Sequence, residues 1–245
     1  MNSTPDVAAV LESRREDAVL VLTLSRPQAR NALNIELTRA LQAAIAAFDA
    51  DETLRAMVLT GSDPAFCAGL DLKAFSDSAS PRGEVGALLR SFPQRRKPAI
   101  GAINGAAMTG GLELALGCDF LIASERARFG DTHVRIGAVA GGGMASRLPH
   151  AVGVRWARQI SLACEPIDAA TALRIGLVNE VVAHESLLPR ALELARAIAT
   201  HDPPLVQLAK SVLDRGEQTT LEGSIRIEAD TLAAHRARGP STWRP

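Results

Sequence analysis

The sequence predicts an α/β domain with largely parallel strand pairing, followed by an all-helical tail. Three observations carry this. Short β-branched and aliphatic runs alternate with segments whose apolar residues recur at helical spacing. Strand signals cease after about residue 184. The chain has 245 residues, 47% hydrophobic and 22% charged. That is enough to bury roughly 70–75% of the unfolded surface without disulfide staples.

The elements follow in order. Val19–Leu24 is a buried strand stopped by Arg26-Pro27. Over 35–48, Leu37, Leu41 and Ile45 recur at i+4 beside Ala40, Ala44 and Phe48, which predicts an amphipathic helix. Ala56–Thr60 is a second strand, ended by Gly61-Ser62-Asp63-Pro64, and Pro98–Ile103 a third, ended by Asn104-Gly105. Gly111–Leu116 reads as a short helix, Phe120–Ala123 as a strand and Leu177–Val182 as the last strand. The segments 185–200, 205–214 and 221–235 show helical spacing. We therefore expect an α/β body over 1–190 and a helical region over 191–245. The stretches 56–69 and 98–111 resemble one another, each a short apolar strand, a turn and small residues ending in glycine. Any two α/β units share that much.

Composition excludes several functions. Lys+Arg and Asp+Glu are 27 each, so the basic excess of a nucleic-acid binder is absent. The lysines are Lys73, Lys97 and Lys210 alone. There is no tyrosine, and only six Phe and two Trp, so stacking platforms for single strands are scarce. Cys67, Cys118 and Cys164 stand far apart and form no C-x-x-C, which predicts reduced, buried thiols and neither a disulfide framework nor a zinc site. The opening M-N-S-T-P-D has no signal-peptide character, and no apolar stretch is long enough to span a membrane. A cytoplasmic protein is expected.

Three stretches are rich in glycine. Gly105-Ala-Ala-Met-Thr-Gly110-Gly111 follows a strand and opens a helix, but it is neither G-x-G-x-x-G nor a phosphate loop. It offers a backbone N–H near Gly110, where negative charge is favoured, or it serves only tight strand–helix packing. Glu113 lies three residues on, beside the apolar run 114–118. It is either a helix-dipole partner or a half-buried carboxylate next to an oxyanion-type donor. In Phe66-Cys67-Ala68-Gly69-Leu70-Asp71-Leu72-Lys73, the small residues at 67–69 permit close backbone approach. Nothing nearby would activate Cys67 as a nucleophile. Gly141-Gly142-Gly143 reads as a loop or helix start without distinct chemistry. Of the histidines, His150, His184, His201 and His235 look like surface residues, and no pair has metal-ligand spacing. His133, in a loop after Phe129-Gly130-Asp131-Thr132, is either a solvated bystander or a site residue.

Taken together, Arg26-Pro27 with Asn31-Ala32-Leu33, F-C-A-G-L-D-L-K at 66–73, N-G-x-A-x-x-G-G-x-E at 104–113, Cys118-Asp119 and Phe129-Gly130 resemble the enoyl-CoA hydratase/isomerase (crotonase) superfamily. The resemblance runs in register from about residue 7 to about 232. It implies a spiral of repeated ββα units, a helical C-terminal trimerisation region, homotrimers or dimers of trimers, and coenzyme A thioester substrates without a separate cofactor or metal. It places an oxyanion hole on the backbone N–H groups of Leu70 and Gly110. It makes Glu113 the base that activates water, and it lines the coenzyme A route with Arg26, Ala29, Ala68, Gly69, Asp71, Leu72 and Lys73. Arg30 is a further candidate for the phosphates.

The chain departs from the family pattern twice. The second catalytic glutamate of the hydratases falls on His133, which can act as acid or base near pH 7, or marks a different reaction. Asp131 is close enough in sequence to reach the site in its stead. The family's last helix, which closes over coenzyme A, is replaced by Gly239-Pro240-Ser241-Thr242-Trp243-Arg244-Pro245. That leaves Arg236 or Arg238 to supply a phosphate contact. The resemblance implies hydration of a 2-enoyl-CoA. A single-base enoyl-CoA isomerase and a non-catalytic acyl-CoA-binding protein are the alternatives. By position, His133 is expected to face Glu113 and the substrate rather than solvent.

Overall fold

The computed structural model describes residues 10–75 and 82–237. Its strands are β1 (Leu11–Glu16), β2 (Val19–Leu24), β3 (Ala56–Gly61), β4 (Ala65–Cys67), β5 (Ala99–Ile103), β6 (Ala106–Met108), β7 (Phe120–Ser124), β8 (Arg128–Gly130), β9 (Ile167–Asp168) and β10 (Glu180–Val182). Its helices are α1 (Ile35–Ala50), α2 (Arg82–Ser91), α3 (Gly110–Ala115), α4 (Met144–Ala163), α5 (Ala169–Arg174), α6 (Leu187–Ala199), α7 (Pro203–Glu217) and α8 (Leu221–Ala237).

The strands form two sheets. One runs β1-β2-β3-β5-β7-β10, and the other runs β4-β6-β8-β9. From β2 to β10 the large sheet is parallel, with β1 antiparallel at its edge. The chain repeats one step: a strand in the large sheet, a turn, a short strand in the small sheet, then a helix. β3–β4–α2, β5–β6–α3 and β7–β8–α4 are three turns of this spiral. The likeness between 56–69 and 98–111 is thus a structural repeat.

Burial explains the continuous apolar runs, because parallel strands are covered on both faces. All six residues of β3 are buried. Leu20, Leu22, Leu24, Met57 and Leu59 face the main core with Leu37, Leu41 and Phe48 of α1. Val19, Val21, Ala56, Val58 and Ile100 face the other way, under Leu187, Ala191, Leu192 and Ala195 of α6. So α6, which straddles position 190, packs against the large sheet, and α7 and α8 follow it. The last strand is shorter than expected. Leu177 and Val178 are buried, but their N–H groups turn back to the Ala172 carbonyl after Gly176 (φ +81), which leaves only Glu180–Val182 paired with β7.

Several charged residues serve the frame. Lys97 is buried and donates to the carbonyls of Phe48 and Asp51. Lys210 is buried on α7 and contacts Asp119 and Asp214, each at 2.8 Å. Arg95 also pairs with Asp119, whose Oδ2 accepts the Ala99 N–H. Asp119 therefore ties the start of β5 to the tail. His184 corrects the surface reading. Its ring is half-buried between Ser124 (3.0 Å) and Asp63 (3.0 Å), joining the ends of β3, β7 and β10. Ser124 is fully buried and its Oγ accepts the Arg126 N–H, so this serine–histidine–aspartate string is a clamp and offers no nucleophile to solvent.

Candidate active site

The site lies where β4 and β6 end beside each other in the small sheet. Its first wall is set by Asn31. This residue is fully buried in the left-handed region (φ +56), where asparagine is among the better-tolerated side chains. Its Oδ1 accepts from the Arg26 N–H and the Ser62 hydroxyl, and its Nδ2 donates to the carbonyls of Ser62 and Ala65. That locks residues 30–33 alongside 68–71. The Ala68 N–H donates to the Arg30 carbonyl, the Leu33 N–H to the Gly69 carbonyl, and the Asp71 N–H to the Leu33 carbonyl.

This pairing uses Gly69 and Asp71. In an extended strand successive residues point their polar groups to opposite sides, so the Leu70 N–H points away from Leu33. Behind it stands the turn into α3. Thr109 occupies φ +54, ψ −115, a conformation unfavourable for a side-chain-bearing residue. It is held there by its N–H on the Gly130 carbonyl (2.8 Å) and its hydroxyl on that of Thr132 (2.7 Å). The turn makes Gly110 the first residue of α3, so its N–H has no intrahelical acceptor. Among the described residues no group accepts from Leu70 N or Gly110 N.

Glycines bring the two segments together. Gly69 (φ +97) sits so close that a Cβ there would lie 2.9 Å from the Met108 carbonyl oxygen and 3.2 Å from Gly110 N. A Cβ on Gly110 would lie 3.6 Å from Leu70 N, and one on Gly111 would lie 2.0 Å from the Cys67 carbonyl oxygen. Two free N–H donors thus converge from separate chain segments.

Glu113, one turn along α3, is buried rather than half-buried, with 2% exposure. Its Oε1 accepts the N–H groups of Gly142 (2.8 Å) and Met144 (3.1 Å), at the start of α4. Arg147 braces the same turn by donating to the Gly142 carbonyl. The triple glycine therefore has a chemical task the sequence did not disclose. A Cβ on Gly142 would meet Glu113 Oε2 at 2.7 Å and Leu89 at 2.6 Å.

His133 turns inward, with its side chain 13% exposed. Its Nδ1 lies 2.6 Å from Asp131 Oδ1. That hydrogen bond raises the imidazole above its ordinary range against the opposing effect of burial, and the charges of Asp131 and Glu113 add to the rise. Burial pushes Asp131 up, but hydrogen bonds from His133 and Ser161 outweigh it and hold the carboxyl below the usual range.

The remaining predicted residues divide. Arg26 is turned inward, its guanidinium on Asp71 (2.9 Å) and the Ala32 carbonyl, so it is no free partner for a phosphate. Asp71 is likewise engaged. Burial pushes it up, but the Ala74 N–H and Arg26 bring it below the usual carboxylate range. Ala68 is partly exposed beside Gly69, and Ala29 sits in the turn before Arg30. Arg30, Leu72 and Lys73 are exposed on the segments that flank Leu70. Arg236 is exposed near the end of α8, and Arg238 lies outside the described residues. Burial pushes the Cys67 and Cys118 thiols up to about 12, which excludes them as nucleophiles near neutrality.

A family model described as enoyl-CoA hydratase/isomerase matches residues 14–238. The chain belongs to that family. It is 43% identical over 211 residues to a probable enoyl-CoA hydratase of Rhizobium meliloti, covering 85% of this chain and 82% of that one. It is 39% identical to a crotonyl-CoA hydratase of Syntrophomonas wolfei, with 89% and 86% coverage. Among solved structures, the enoyl-CoA hydratase from Mycobacterium tuberculosis H37Rv is 45% identical with a TM-score of 0.78, covering 94% of this chain and 100% of that one. That from Bacillus anthracis superposes with a TM-score of 0.88 at 32% identity, with 91% and 90% coverage.

The packing yields a prediction for this crotonase. Gly142→Ala displaces the Glu113 carboxylate while leaving the Leu70 and Gly110 donors in place. Turnover on an enoyl-CoA falls at least about tenfold, as expected when a positioned base is misplaced, and thioester affinity by calorimetry stays within about threefold. Unchanged turnover would show that the Gly142 turn does not set the carboxylate.

Proposed function

We propose that the protein is an enoyl-CoA hydratase. In this reading water adds across the C2=C3 bond of a 2-enoyl-CoA, giving a 3-hydroxyacyl-CoA. The observation that carries it is the buried Glu113 carboxylate, fixed by two N–H groups one helical turn from the paired donors of Leu70 and Gly110. Relatives over most of the chain's length are named as hydratases, which supports the same reading.

The steps follow from charge. The thioester carbonyl oxygen sits against Leu70 N–H and Gly110 N–H. As a nucleophile adds at C3, negative charge moves onto that oxygen, and two preorganised donors stabilise it by about 3 kcal/mol each. Glu113 takes a proton from the water that attacks C3. A proton is then delivered to C2 as the enolate collapses. The chemistry moves protons and one water and asks for no cofactor. A second protonatable group, His133, in the field of Glu113 favours hydration over isomerisation by a single base.

Coenzyme A would enter along Ala68 and Gly69. Arg30 and Lys73, which are exposed, replace Arg26 as candidates for its phosphates, and Leu72 offers apolar surface beside them. No helix among the described residues is long and apolar enough to cross a membrane, and a cytoplasmic setting fits the reading.

We also propose a homotrimer or a dimer of trimers. α8 buries no residue and α7 buries only Lys210. Leu213, Leu221 and Ile225 are 73%, 79% and 57% exposed, and Leu205 and Leu232 are also exposed. Helical faces this apolar need a partner surface, and a closed symmetric assembly of the chain supplies one. Light scattering at micromolar concentration should give three or six times the chain mass, and a monomer would refute the assembly.

The activity is tested by following loss of the conjugated thioester absorbance of crotonyl-CoA and longer enoyl-CoAs. Glu113→Gln should lower turnover by on the order of 10²–10⁴, as for loss of a general base, with binding retained. Turnover within about twofold of the parent protein would remove Glu113 from the mechanism.

A further inference from the structure

Asp131 has no part in the reaction as described so far, yet it is buried and its surroundings are built. Its Oδ1 takes both the His133 N–H (3.1 Å) and His133 Nδ1 (2.6 Å). Ser161, on α4, adds to the polar surroundings that hold the same carboxyl below its usual range. The neighbouring Thr132 is pinned to Thr109, the residue that aims Gly110 N–H. One loop thus connects the oxyanion turn, the carboxylate and the imidazole.

The ring's other nitrogen is left over. Among the described residues no group hydrogen-bonds His133 Nε2, although the side chain is largely shielded from solvent. The charges acting on the ring are Asp131 on its own loop and Glu113 on α3. An imidazole fixed at Nδ1 by a buried carboxylate presents Nε2 alone for chemistry.

We propose that Asp131 is the positioning residue of a His133 acid: its carboxylate holds Nδ1–H, so that Nε2–H delivers the proton to C2. The proposal rests on the hydratase reading and specifies its second proton transfer. The balance is simple. Water loses a proton to Glu113, and its oxygen bonds to C3. The C2=C3 pair moves into the enolate, which then collapses onto the Nε2 proton, leaving neutral imidazole with its remaining proton on Nδ1. Exchange with solvent returns the Glu113 proton and recharges the ring. The dyad does with two side chains what a carboxylic acid at position 133 would do with one.

The pH consequences have a definite sign. The ring is raised above about 6.5, so the imidazolium acid persists above that pH and is lost as pH rises through the raised value. Asp131 is depressed, so its charge persists until the pH falls below the ordinary carboxylate range. Hydration therefore declines on an alkaline limb set by His133, displaced upward from the ordinary imidazole range.

The test is Asp131→Asn in the full-length protein, with two readings. The pH profile of kcat on crotonyl-CoA should show its alkaline limb moved to lower pH by on the order of one unit, the scale of losing a paired charge. KM should stay within about twofold. In the parent protein, ¹⁵N NMR of labelled imidazole should show neutral His133 protonated on Nδ1, and its titration should move down in the variant. Asp131→Glu, which keeps the charge, should restore part of the shift. An unmoved limb with an unmoved titration, or a neutral ring protonated on Nε2 in the parent protein, overturns the proposal. The NMR reading stands even if no enoyl-CoA is hydrated, an outcome that would sink the hydratase reading and leave the Asp131 pairing to be judged by tautomer alone.

Discussion

The structure depends on one close approach: the backbone at Gly69–Leu70 against the backbone at Gly110–Gly111. It brings together N–H groups forty residues apart, and only chains without a Cβ at 69 and 111 fit. Everything else can be read as support. The Asn31 knot aligns residues 30–33 so that Leu70 turns its N–H outward, and the Gly130 carbonyl and Thr132 hold Thr109 in its unfavourable conformation. The Asn31 knot comes from the segment before the first turn of the spiral, Gly69–Leu70 from the first, Gly110–Gly111 from the second and the Gly130–Thr132 support from the third, so the site exists only when these units are stacked.

The same logic separates charged residues that shape the site from those that hold the frame. Arg26 and Asp71 lie in motifs that resemble a substrate-binding stretch, yet they neutralise each other beneath it. Lys97, Lys210, Arg95 and Asp119 are partnered inside the body or between the body and α7. Glu113 differs in kind. Its partners are neutral N–H groups, which orient a carboxylate without cancelling its charge.

Much of this was legible in the sequence. The long buried strands and the helices at 35–48, 185–200, 205–214 and 221–235 follow their periodicity closely, because a fully apolar run or an i+4 stripe survives translation into packing. The short strands β4, β6, β8 and β9 carry two or three residues each, too few for any period to show, and the small sheet went unseen. So did α2 and α4, the latter interrupted by Pro149 and by Gly153 at φ +75. The family motifs point to Leu70, Gly110 and Glu113, and the structure brings these three close to one another. The motifs do not reveal the groups that tune them. Gly142 acts on Glu113 across 29 residues of chain, His184 reaches Asp63 across 121, and Arg26 finds Asp71 across 45. Such pairings are made by topology, and no local pattern announces them.

Leu70 N–H and Gly110 N–H are expected to polarise one oxygen, that of the substrate thioester carbonyl. Isotope-edited infrared spectroscopy of an acyl-CoA labelled with ¹³C at the thioester carbonyl tests it without reference to turnover. On binding, two directed donors weaken the C=O bond, so the stretch should move to lower frequency than in water. In Gly69→Ala, where the new Cβ intrudes between the donors, most of that displacement should vanish. A bound carbonyl that absorbs at its aqueous frequency in the parent protein would contradict the account at its foundation.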